Sequence, residues 1–201
     1  LEDQDMWRLA GIHRSITLFA TPRIRIRDVG IRTTLDNDYT RAHITIHPEL
    51  EVTRGQRGEA FHLEAMLYDE QGQPVLDSTL TGDAVTMLNL DHRAAIMNDR
   101  TPQRGYSKWG WMEAQLDKAH LWSAETPYLY TLRLALCDST GHKVEQVEQR
   151  IGIRQVEIRG GDMLVNGRKV RLRGVNRHEM DPILGHVMTE ARMMQDIMLM
   201  K

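Results

Sequence analysis

The sequence predicts a mainly β protein: a sandwich of antiparallel sheets followed by one strand–loop–helix unit of a (β/α) barrel. Three observations carry the prediction. Across residues 12–158, short runs alternate apolar with polar side chains, the period of a strand with one buried and one wet face. Clusters of Asp, Asn, Gly and Pro interrupt those runs at strand-length intervals. After Arg150 the texture changes, and residues 189–201 switch to a helical pattern.

Arg23-Ile24-Arg25-Ile26-Arg27 opens the series, with Ile24 and Ile26 on one face. Asp36-Asn37-Asp38 breaks it. Ala42, Ile44 and Ile46 then alternate with Arg41, His43, Thr45 and His47, so His43 is expected to face solvent. Phe61, Leu63, Ala65 and Leu67 alternate with His62, Glu64 and Met66, and turn residues follow at 69–74. Residues 91–107 are polar, contain Pro102 and Gly105 and show no period, which predicts a long loop or insertion. Tyr130, Leu132, Leu134 and Leu136 alternate with Thr131, Arg133 and Ala135, and Asp138-Ser139-Thr140-Gly141 turns the chain.

Gly160-Gly161-Asp162 and Asn166-Gly167 are two turn signals close together, and predict a small meander with strands at 156–158, 163–165 and 169–172. The last strand leads into Arg173-Gly174-Val175-Asn176-Arg177-His178-Glu179. Thr189 is placed to cap a helix with Glu190 in its first turn. Met193, Met194, Ile197, Met198 and Met200 give that helix a broad apolar surface, expected to pack in a barrel core. A whole barrel takes roughly 250 residues, so only its start fits after the sandwich. Such a start leaves apolar surface uncovered, so the segment from about Val170 onward is expected to be mobile, to pack back on the sandwich or to mediate dimers.

Composition narrows the function classes. A hydrophobic fraction of 41% supports a true core, and a formal net charge of −2 provides no global field for nucleic acid or an anionic membrane. No run of about 20 apolar residues is present to span a bilayer. Cys137 is the one cysteine, so neither an internal disulfide nor a cysteine-only metal site can form; the compartment leans to cytoplasmic. The chain opens Leu1-Glu2-Asp3-Gln4 and ends at Lys201 within a helical pattern, so it is expected to be cut from a longer protein.

Three segments in order resemble the β-galactosidases of glycoside hydrolase family 2. They are Leu1-Glu2-Asp3-Gln4-Asp5-Met6-Trp7-Arg8 with Ala10-Gly11-Ile12, then Leu121-Trp122-Ser123-Ala124-Glu125-Thr126-Pro127-Tyr128-Leu129-Tyr130, then Arg173-Gly174-Val175-Asn176-Arg177-His178-Glu179 with Pro182, Gly185, Val187 and Met188. The related glucuronidases tend to carry lysine at the Arg177 position. The resemblance implies an immunoglobulin-like β-sandwich followed by the first strand–helix unit of an incomplete TIM barrel. Residues 1–21 would be the tail of a preceding sugar-binding-like β domain, 22–154 the sandwich and 155–201 the truncated start of the (β/α)8 barrel. It also implies a homo-oligomeric parent that hydrolyses terminal β-D-galactosides with retention, using magnesium and sodium.

No catalytic acid/base or nucleophile is assigned in this chain, since the family's two glutamates lie on later barrel strands. The resemblance gives His178 the role of hydrogen-bonding a galactosyl hydroxyl and stabilising the transition state; a loop histidine that merely packs is the plainer reading. It gives Asp5 a sodium ion and the galactosyl 6-hydroxyl, against a solvated acidic turn. One carboxylate makes no cation site, so the sodium site belongs to the parent. Arg177 and Glu179 are expected to pair with neighbours and fix the loop. Trp122, Tyr128 and Tyr130 are read as packing at a sandwich corner rather than a sugar platform. The histidines show no metal spacing: His43 and His47 are four apart on a strand and do not converge. Two other readings stay open, a β-glucuronidase-like hydrolase and a stand-alone immunoglobulin-like interaction module.

Overall fold

The computed structural model describes residues 11–12, 14–52, 61–84, 87 and 110–201. The expected insertion at 91–107 and the motif at residues 1–8 lie outside them. The chain divides into two compact units: Thr21–Arg171, and a second whose described residues come from 11–20 and Leu172–Lys201.

In the first unit, two antiparallel sheets face each other. One has the order β1–β2–β5, from Ile24–Leu35, Arg41–Val52 and Met112–Asp117. The other runs β4–β3–β6–β7, from Leu80–Asp83, His62–Tyr68, Tyr130–Cys137 and Lys143–Ile151. Consecutive strands change sheet at β2→β3 and again at β4→β5 and β5→β6, which gives the immunoglobulin-like order. The alternating residues meet between the sheets. Ile24, Ile26, Ala42, Ile44, Ile46 and Met112 pack in one cluster with Leu63, Ala65, Leu67, Tyr130, Leu132, Leu134, Leu136 and Ile151. His43 faces solvent as expected. Ala135, expected on the wet face, is buried, because β6 lies inside its sheet with β3 and β7 on either side.

Strand β1 runs well past the short run the sequence suggests. A bulge between Ile26 and Asp28 inserts one residue against β2. The inward positions therefore change from 24 and 26 to 29, 31, 33 and 35 without ending the ladder. β1 is an edge strand, and side chains from elsewhere satisfy two of its outward N–H groups. The Ile26 N–H donates to Glu145 Oε2 of β7 at 2.5 Å, and the Leu35 N–H donates to Gln155 Oε1 at 2.7 Å.

A third sheet, β10–β9–β8, is the predicted meander: Val156–Arg159, Asp162–Val165 and Arg168–Lys169. Its two turns are Gly160-Gly161 (φ +59° and +84°) and Asn166-Gly167 (φ +50° and +73°), both with the positive φ pair of a tight hairpin. Tyr39, in the turn between β1 and β2, ties the meander to the sandwich. Its hydroxyl donates to Glu157 Oε1 at 2.6 Å, and its ring lies where a side chain on Gly167 would stand. The Tyr39 hydroxyl and the Arg159 guanidinium hold the Glu157 carboxyl below the usual range.

The strand expected at 169–172 stops at Lys169. The Val170 N–H still donates to Met163 O at 3.0 Å, and beyond it no described segment offers a ladder. A barrel strand is held by parallel neighbours on both sides, and none is present among the described residues.

In the second unit, α1 spans Glu190–Met200, capped by the Thr189 hydroxyl, which accepts from the Arg192 N–H. None of its residues is buried. Met193, Met194, Ile197, Met198 and Met200 were expected to pack in a core; instead Met194, Ile197, Met198 and Met200, with Leu199 beside them, are at least half exposed, because no described element covers them.

Candidate functional site

The loop leading into α1 contains the candidate His178. Two ion pairs pin its neighbours. The Arg177 guanidinium bonds Asp196 Oδ2 of α1 through Nε at 2.9 Å and its terminal nitrogen at 2.8 Å. Glu179 pairs with Arg14, whose guanidinium holds the Glu179 carboxyl below the usual range. Arg177 and Glu179 thus fix the loop from either side. His178 between them is exposed and has no hydrogen-bond or ion-pair partner among the described residues. Its ring is free to donate to an incoming hydroxyl from either nitrogen, depending on tautomer.

The chain then turns tightly before the helix. Asp181 Oδ1 accepts the N–H groups of Ile183 and Leu184 at 2.8 and 2.9 Å, and Oδ2 meets the Arg192 guanidinium at 3.3 Å. The Leu184 and Ile183 N–H groups and the nearby guanidinium keep the Asp181 carboxyl below its ordinary value. Asp181 and Gly185 exchange both backbone bonds, at 2.7 and 2.9 Å. This closed turn, the Arg177–Asp196 pair and the Thr189 cap give the irregular segment a defined path without any strand. Asp5, the other candidate, lies outside the described residues.

The aromatic group at Trp122, Tyr128 and Tyr130 is packed. Tyr130 is 2% exposed, and its hydroxyl accepts the His120 N–H at 2.9 Å. Tyr128 stacks on His120 at 4.8 Å between centroids and meets the Tyr130 ring edge-on at 4.9 Å. Trp122 lies against Gly152 under the Arg154 guanidinium, 4.5 Å from its ring centroid. Tyr130 is buried, and Trp122 and Tyr128 are partly buried in these contacts, so the group packs at a corner of the sandwich. His43 and His47 sit four residues apart on β2, about 13 Å along the strand, too far to share an ion.

One cluster was not found by reading the sequence. His62 and Glu64 of β3 and Cys137 of β6 bring their donor atoms within 4.8 Å of one another on the outer face of the four-stranded sheet. Cys137 is buried, and burial followed by the Glu64 carboxylate pushes its thiol up. The sequence signal was His and Glu at i and i+2 on one strand face; the missing information was which strand pairs beside it.

Comparison with known proteins gives a consistent family. The profile of Glycosyl hydrolases family 2 matches residues 24–154, and that of the Glycosyl hydrolases family 2, TIM barrel domain, matches residues 156–201. A protein of Vibrio cholerae named beta-galactosidase is 39% identical over 204 residues, covering 100% of this chain and 18% of the relative. One of Priestia megaterium, also named beta-galactosidase, is 35% identical over 202 residues, again with 100% and 18% covered. The chain thus spans about a fifth of the length of these relatives. Among solved structures, a beta-glucuronidase of Lactobacillus rhamnosus matches with a TM-score of 0.64 at 28% identity, over 89% of this chain and 24% of that one. The beta-glucuronidase of Parabacteroides merdae matches with a TM-score of 0.65 at 19% identity, over 89% and 20%, a likeness of fold.

Proposed function

This chain belongs to the glycosyl hydrolases of family 2, and from that premise we propose that it is part of a β-galactosidase that releases terminal β-D-galactose with retention. The observation that supports this most is identity of 35–39% with proteins named beta-galactosidase along the whole chain, together with Asn176-Arg177-His178-Glu179 at the loop before α1.

Retention requires two carboxylates about 5 Å apart, one an acid/base and one a nucleophile. Neither is assigned to a residue of this chain. The described residues contribute scaffold and one substrate contact. The sandwich, residues 22–154, acts as a spacer, and residues 155–201 begin the barrel. His178 donates a hydrogen bond to a galactosyl hydroxyl, and the bond strengthens as the ring flattens towards the oxocarbenium-like transition state. Arg177 and Glu179 position it through Asp196 and Arg14. Asp5 would bind the 6-hydroxyl and, with ligands from the rest of the parent, would hold sodium. Magnesium and sodium would supply Lewis-acid and binding chemistry in the parent; one carboxylate alone makes no such site. The parent is a homo-oligomer of the cytoplasm. Among the described residues, no helix is long and apolar enough to cross a membrane.

The test is His178→Ala in the full-length enzyme, assayed on an aryl β-galactoside and on the matching glucuronide. A loss of roughly 10²–10³ in kcat on the galactoside is expected, the usual effect of removing one transition-state donor. Unchanged kcat/KM would remove His178 from the site. Faster turnover of the glucuronide by the wild type would replace the galactosidase reading with the glucuronidase one.

A further inference from the structure

The outer face of the four-stranded sheet carries a donor set that the glycosidase chemistry does not use. His62 and Glu64 sit at i and i+2 of β3, so their side chains leave the same face. Cys137 of β6 is the register partner of His62, which places its side chain on that face too. An imidazole nitrogen, a carboxylate oxygen and a thiol sulfur thereby come within 4.8 Å of one another. The His62 Nε2 to Glu64 Oε1 separation is 3.4 Å.

That separation is long for a hydrogen bond between these groups, where about 2.7–3.2 Å is usual. It matches the distance between two ligands of one tetrahedral ion, roughly 3.3 Å for metal bonds near 2.0 Å. The side chains of His62 and Glu64 are 37% and 38% exposed, while Cys137 is buried. Ions therefore have access from solvent at the His–Glu rim, with the sulfur as the floor. We propose that His62, Glu64 and Cys137 form a three-ligand zinc site that fastens β3 to β6, with water completing the tetrahedron.

The donor chemistry selects the ion. Thiolate with imidazole suits zinc, whereas magnesium and calcium prefer oxygen alone. Charge also balances: one thiolate and one carboxylate neutralise a divalent ion, so no net charge is left against a partly buried sheet face. On binding, the Cys137 S–H bond breaks, its proton passes to the buffer and the sulfur lone pair goes to the metal. Closing from 4.8 Å to bonding geometry takes about an ångström of movement by the sulfur or the exposed rim, within reach of rotamer adjustment.

The experiment is a cobalt titration of the metal-free full chain, followed by zinc competition. Cys137 is the one cysteine of these 201 residues, so a thiolate-to-cobalt charge-transfer band in the near ultraviolet that Cys137→Ala abolishes reports on this residue. One equivalent should generate the band, zinc should abolish it, and zinc should raise the melting temperature. Cys137→Ala should lose the band. His62→Gln and Glu64→Gln, at exposed positions, should weaken zinc binding by at least roughly tenfold, since even outer-shell changes cost that much. Cobalt binding without a thiolate band would overturn the proposal, and so would a band untouched by zinc or by both exposed substitutions. None of these readouts depends on galactosidase activity.

Discussion

Gly152 touches Trp122 so closely that a single methyl group should be felt. A Cβ built on Gly152 would lie 2.8 Å from Trp122 Cγ and 2.9 Å from both its Cβ and Cδ1. The indole cannot simply step back. The Trp122 N–H donates to Ile153 O at 2.8 Å, and its carbonyl accepts from Asn166 Nδ2 at 3.0 Å. The Arg154 guanidinium stacks over the ring. Gly152→Ala must therefore push the ring off its rotamer or open the joint between β7 and the meander. Overpacking of this kind costs about 1–3 kcal/mol. For a unit of this size that is roughly 2–12 °C in melting temperature. Chemical denaturation followed by circular dichroism gives the free energy directly. In Trp122→Ala/Gly152→Ala the contacts to Cγ and Cδ1 are gone and only the one to Cβ at 2.9 Å remains, so the alanine at 152 should cost less than in the wild-type background. A penalty under about 0.5 kcal/mol in Gly152→Ala, or strict additivity in the double variant, would refute the reasoning.

Leu134→Ala, at the fully buried centre of β6, should destabilise by about 2–5 kcal/mol in equilibrium denaturation. Tyr130→Phe leaves the His120 N–H without its acceptor and should cost about 1–2 kcal/mol. Burial also pushes the Tyr130 phenol above its ordinary value. The folded state holds that proton more tightly than the unfolded state, so stability is full below about pH 10 and falls as pH rises through the folded value. Tyr130→Phe should flatten this alkaline limb in a melting-temperature profile. Asp138 behaves oppositely: the Thr140 hydroxyl and N–H, helped by the His142 N–H, hold its carboxyl below the ordinary value. Its contribution is present above about pH 4 and lost as pH falls through the folded value, and Asp138→Asn should remove that acid limb.

What the sequence made legible was whatever short-range periodicity encodes. Ala42, Ile44 and Ile46 announced a buried face, and Asn166-Gly167 announced a turn, because both effects act within a few residues. β1 was only half visible: after Ile26 the apolar positions change phase, and a bulge, not a strand end, resolves the change. The brief strands β4, β8 and β10 depend on partners for their ladders, so their limits follow pairing more than composition. α1 shows the converse. Its cap was plain at Thr189, but the burial expected of its methionines depends on elements that the described residues do not include. The candidate loop was recognised by its motif, while the partners of Arg177 and Glu179, Asp196 and Arg14, follow from folding alone. The His62–Glu64–Cys137 group was hidden for the same reason, since only the β3–β6 register unites it.

Asn166 has one further consequence, for the lifetime of the polypeptide. Its amide both accepts the Gln155 N–H at 3.0 Å and donates to Trp122 O at 3.0 Å, while Gly167 follows it under the Tyr39 ring. Asparagine followed by glycine is the dipeptide whose backbone nitrogen most easily attacks the side-chain amide, closing a succinimide that hydrolyses to aspartate or isoaspartate. In the folded hairpin both ends of the amide are held, and the attack is hindered. In the unfolded chain it is free. The conversion removes the donor to Trp122 and sets a carboxylate against that carbonyl, so a molecule that has aged while unfolded refolds less well. The turn that aligns the meander thus also acts as a chemical clock, running fastest when the fold is open.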